Sequence, residues 1–204
     1  MFYIARARAL DVGTRWAFAT LFFGLVLTTL GSAYYHFDPN NQRLVFDRMP
    51  MIVVMAGCIG VAVADRLGTG KMWLITAALI AIGFWTVYYW ITGEEAGHGD
   101  LRWYLLYQGM TFVVVVLLLF LFPSRYGMNL AFAWAGLGNV AAKIFEFSDR
   151  PIYALGGIVS GHTLKHLSAG LAFLPLAFLI RRIKKQQTID NSVRPDLASA
   201  GSAR

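Results

Sequence analysis

Long apolar runs dominate this chain and restrict its fold more than any other feature. The segment TFVVVVLLLFLF, residues 111–122, carries a single hydroxyl and no charge. Six such runs can be read, at about 16–36, 49–64, 72–92, 101–122, 127–145 and 152–180. In hydrocarbon a backbone N–H or C=O finds no water, so a spanning segment must satisfy its own hydrogen bonds. The expectation is therefore an all-α, polytopic transmembrane helix bundle of about six helices over residues 1–183. The run at 49–64 is short, and the run at 127–145 is the least apolar. Residues 184–204 are polar and poor in large apolar side chains, and are expected to form a disordered tail.

The breaks between runs have recognisable turn chemistry. They are Pro39-Asn40-Asn41, Gly68-Thr69-Gly70, the polar stretch GEEAGHGD at 93–100, Pro123-Ser124-Arg125 and Ser148-Asp149-Arg150-Pro151. Composition agrees: 57% of residues are hydrophobic and only 14% charged, which marks an integral membrane protein. The net charge of +7 does not argue for nucleic acid as a partner, because much of the Lys and Arg flanks the runs. Arg6, Arg8 and Arg15 precede the first run, and Arg181, Arg182, Lys184 and Lys185 follow the last. With six spans both termini share a side, and the positive-inside rule puts that side in the cytoplasm of an inner or plasma membrane. No cleavable signal peptide is read at the start, since the first run ends in GSAYYHF without a small-x-small pattern. Cys58 is a lone thiol in an apolar run and reads as a small buried hydrophobe.

Against this background the histidines stand out. His162 and His166 form an H-x-x-x-H pair, which on a helix places both rings on one face. His36 follows Ser32 at the same spacing, and Asp47 comes eleven positions later. In the six-span topology His36, Asp47, His162 and His166 reach a similar depth at the non-cytoplasmic side. Ionisable groups at membrane depth are costly and point to function. Three neutral imidazoles with one open position are the composition of a catalytic zinc site. In chemical terms, a carboxylate such as Asp47 can move a proton from water to a leaving amine. A hydroxyl such as Ser32 can stabilise an oxyanion.

These motifs, Ser32-x-x-x-His36, Asp47 and His162-x-x-x-His166, resemble the CREST superfamily of seven-helix membrane hydrolases, and within it the alkaline ceramidase branch. The resemblance covers the chain from Ser32 to His166. It implies a Zn2+ ion held by His36, His162 and His166, with Asp47 orienting the activated water and Ser32 near the metal. It implies hydrolysis of a ceramide-like or other lipid amide drawn from the membrane. The family carries its Ser-His pair on the second of seven helices; here the pair is on the first run, so the family's first helix is expected to be missing.

Each of these residues also has a purely structural role open to it. Asp47 could cap the second helix or pair with Arg48, and Ser32 could pack beside Gly31. In KIFEFSD, Lys143 and Glu146 read as a helix-end ion pair, and Asp149 as part of the same charged set; Glu146 is also a candidate second contact that orients a histidine. Lys165 falls on a different face from the histidines and is expected to snorkel or pair with an acid. Gly156, Gly157 and Gly161 are expected to allow close helix packing. His98 reads as a solvated loop residue. Trp16, Tyr34, Tyr35, Trp90, Trp103, Tyr104 and Tyr153 read as interfacial anchors. Three rival functions remain: a membrane receptor or sensor of the adiponectin-receptor-like type with a structural metal, a bis-histidine haem protein, and a metal transporter.

Overall fold

A computed structural model describes residues 10–68 and 70–193; Arg6, Arg8, Thr69 and the end of the expected tail, 194–204, lie outside the described residues. Every regular element among the described residues is helical. The chain divides into two compact units, Met1–Arg125 and Tyr126–Arg204.

The first unit holds four long helices: α1 (Val12–Phe37), α2 (Asn41–Leu67), α3 (Met72–Glu95) and α4 (Arg102–Leu121). Asp11 starts α1 by accepting from Thr14 N at 2.8 Å. Asn40 starts α2 by accepting from Arg43 N at 2.9 Å. Each satisfies a donor that the first helical turn leaves without a partner. Helix α2 ends at Gly68, whose φ of 62° suits a residue without a Cβ. Glycines bring α1 and α2 nearly into backbone contact. A Cβ added at Gly57 would lie 2.5 Å from Leu21 Cα, and one at Gly24 would lie 2.7 Å from Val54 N. In a membrane, such small-residue contacts supply the van der Waals packing that apolar burial cannot.

Helix α2 begins well before the apolar run at 49–64. Asp47 therefore lies inside the helix and does not cap it. Pro50 also lies inside α2. It has no N–H for the carbonyl four residues back, that of Phe46. Gly31 of α1 sits against this same carbonyl, and a Cβ there would collide with it.

Trp90 and Tyr104 are not exposed anchors. They are 3% and 5% exposed and pack with Ile52 and Val87 in the core of the unit. Trp16, Tyr34 and Trp103 are exposed, as expected. So is one side of the Leu/Val run of α4, including Phe112, Val113 and Leu117. At the other end of the unit, the Pro123-Ser124-Arg125 turn is tied to α2. Ser124 Oγ donates to Asp65 Oδ2 at 2.6 Å, and Arg125 N donates to the Asp65 carbonyl at 3.2 Å. Arg66 pairs with the Asp65 carboxylate and donates through Nε to the Leu118 carbonyl at 3.2 Å.

The second unit holds α5 (Asn129–Phe147), α6 (Asp149–Ala154), α7 (Gly161–Ala172) and α8 (Leu174–Val193). The single helix expected over 152–180 is thus three pieces. Pro151 is no break, because it lies in the first turn of α6, where its missing N–H costs nothing. The break comes later, at Gly156-Gly157, where Gly157 has φ 69°. Phe173 separates α7 from α8, and Pro175 just beyond it cannot continue an incoming helix's hydrogen bonding. Helix α8 runs to Val193, so residues 184–193 of the expected tail are helical. Gly156 and Gly157 stand in open space, contrary to the packing role expected of them. Gly161 does pack closely: its Cβ would lie 2.7 Å from Asp149 Cα.

Five stretches are long and apolar enough to cross a membrane: α1, α2, α3, α4 and Gly161–Gln186. Helix α5, which carries Asn139, Lys143 and Glu146, is not among them.

Candidate metal centre

In the second unit the histidine pair is formed as the spacing requires. His162 and His166 lie one turn apart on α7, with ring centroids 4.7 Å apart. Their Nε2 atoms approach to 2.9 Å. Two nitrogens sharing one tetrahedral zinc, each about 2.1 Å from it, would stand about 3.4 Å apart. Small side-chain rotations span that difference. Without an ion, one Nε2–H donates to the other ring's lone pair. His162 is half-buried and His166 exposed.

The start of α7 is fixed twice. Ser160 Oγ accepts from Thr163 N at 3.2 Å, and Asp149 Oδ1, from the first turn of α6, accepts from His162 N at 2.7 Å. Asp149 therefore holds the backbone under the first histidine. In sequence Asp149 reads as one of the helix-end charges, and its thirteen-residue separation from His162 leaves no local signal for this contact. Glu146 makes different contacts from those expected of a histidine-orienting acid. Lys143 Nζ donates to Oε2 at 2.7 Å and Lys165 Nζ to Oε1 at 3.0 Å. Both oxygens are thus engaged by lysines, and Glu146 makes no hydrogen bond to either ring.

In the first unit, His36 is the penultimate residue of α1, exposed, with its ring 5.0 Å from that of Tyr35. Ser32 lies one turn earlier and is buried, and its Oγ has no hydrogen-bond partner among the described residues. Asp47 comes to the same level from the other arm of the α1–α2 hairpin, since Gly31 touches Phe46, the neighbours of Ser32 and Asp47. Asp47 is half-buried and forms no hydrogen bond or ion pair with a described residue. Buried polar groups are nearly always paired, which sets the Ser32 hydroxyl apart from the other hydroxyls of α1, such as those of Thr20, Thr28 and Thr29, which donate to carbonyls one turn back. His98 lies apart from these groups, in the α3–α4 loop, beside Tyr89, Thr92 and Gly93.

Comparison with protein-family models, with curated proteins and with solved structures finds no match to this chain. Fold and site together define an all-α protein with membrane-length helices, an i,i+4 histidine pair, and a third histidine one turn from a buried serine.

Proposed function

We propose that the protein is a zinc-dependent intramembrane hydrolase that cleaves a lipid amide of ceramide-like type, with His36, His162 and His166 as the metal ligands. The observation that carries this reading is the 2.9 Å approach of the two Nε2 atoms on α7. The donor set suits zinc, since imidazole nitrogens are among its preferred ligands. When bound, such an ion acidifies water and polarises a carbonyl. Asp47 takes a proton from the attacking water and delivers it to the departing amine nitrogen. Ser32 Oγ–H donates to the carbonyl oxygen as negative charge develops there. The C–N bond breaks, and a fatty acid and an amine are released. An apolar groove of about 430 Å³ between α1 and α2, lined by Leu27, Leu30, Gly31, Tyr34, Phe46 and Pro50, has the size and character for an acyl chain. The proposed orientation has both termini cytoplasmic and the site toward the other face.

Elemental mass spectrometry on detergent-purified protein tests the metal. Wild type should carry about one zinc per chain and His162→Ala should carry little. Asp47→Ala should keep the zinc and lose at least about 100-fold in hydrolysis of a fluorescent ceramide. Metal-free wild type, or full turnover by Asp47→Ala, would overturn the proposal.

A further inference from the structure

Arg48 lies inside α2, next to Asp47, and points its charge into the first unit. Its guanidinium carbon stands 4.0 Å from the Trp90 ring centroid and 5.4 Å from that of Tyr104, the two aromatics buried in the core. Nη1 is buried without an acceptor, and no guanidinium nitrogen donates a hydrogen bond to a described residue. The side chain is nonetheless only partly buried, so the rest of the fork is open. Other arginines near this end of the unit are treated differently. Arg43, whose Nη1 is likewise buried without an acceptor, pairs through Nη2 with Asp38 at 3.3 Å, and Arg102 pairs with Asp100 at 2.7 Å, whereas Arg48 has no such ion pair. Asp47 and Glu94 are close enough to feel the charge of Arg48, but neither forms an ion pair with it. Glu94 Oε1 is engaged by Asn41 Nδ2 at 2.9 Å.

Contact with aromatic faces offsets only part of the cost of holding a cation out of water. A guanidinium also presents parallel N–H groups that match the two oxygens of a carboxylate or phosphate. We propose that Arg48, walled by Trp90 and Tyr104, is the receptor for a lipid oxyanion: the carboxylate of a free fatty acid or the phosphate of an anionic headgroup. This site stands on its own geometry and does not depend on the metal.

The test uses the full chain in detergent, with native mass spectrometry reading retention of oleate, of dioleoylphosphatidylglycerol and of uncharged diolein. Wild type should retain one of the anionic probes more tightly than diolein. Arg48→Gln should weaken that retention at least about ten-fold, and Arg102→Gln should leave it unchanged. Oleate alone identifies the carboxylate source; phosphatidylglycerol alone identifies the headgroup. If Arg48→Gln does not fold, a photoreactive analogue of the retained probe on wild type decides. It should label peptides containing residues 41–51 or 86–104. No anion preference in wild type, unchanged retention in Arg48→Gln, or labelling only elsewhere would overturn the proposal.

Discussion

Single residues in this protein act chiefly through what they let approach. Gly31 admits the Phe46 carbonyl that Pro50 leaves without a helical donor. Gly31→Ala should destabilise the protein by about 1–3 kcal/mol, because the clash is with backbone. Gly136→Ala, where nothing lies within 4 Å, should be neutral or slightly stabilising. Equal unfolding midpoints in a detergent denaturation series would refute the close approach. Asp149 acts at a distance on His162 through its backbone N–H. Asp149→Ala should weaken zinc binding by up to about ten-fold, while Asp149→Asn, which keeps an acceptor, should stay near wild type. A chelator competition titration reads the difference, and identical affinities for all three proteins would count against a positioning role. The histidine pair was legible because a 3.6-residue period dictates which side chains meet. Neither the role of Asp149 nor the cage around Arg48 was, since both are made by residues far apart in sequence.

Hydropathy located the helices but not their ends. It reports where a segment is apolar, while a helix continues wherever its backbone is satisfied. Helix α2 therefore extends back through Asn41-Gln42-Arg43, and what reads as a loop before an apolar run carries Asp47 and Arg48 into the helix. The opposite error occurred at the C-terminal run, where Gly157 and Pro175 divide an apolar stretch into separate helices. Helix α5 sets the topology. Both termini share a side only with α5 counted as a span, and its polar residues leave it outside the clearly apolar set. The six-span reading expects the segments before and after α5 to lie on opposite faces of the membrane. In a Cys58→Ser background, an impermeant maleimide applied to whole cells should label Leu155→Cys and not Tyr126→Cys. Labelling of both, or of neither, would remove α5 from the membrane-crossing set.

At the scale of the whole molecule, the all-helical class followed from run length and charge content alone. Backbone satisfaction in hydrocarbon leaves a chain of this pattern few alternatives. The division into two units at Arg125/Tyr126 carries no comparable signal. It falls beside a turn that looks, in sequence, like the other turns. The Asp65–Arg66–Ser124 cluster shows why such links stay hidden: its partners are 59 residues apart, and only folding joins them.

That separation has a consequence for how the protein is made. At about 5–20 residues per second, the ribosome needs about 3–12 seconds after finishing α2 before Ser124 and Arg125 exist. Throughout that interval Asp65 has Arg66 but neither of the later donors. The end of α2 is thus completed by a turn that emerges two helices later, and a nascent chain stalled before Ser124 would present an unfinished acid to whatever surrounds it.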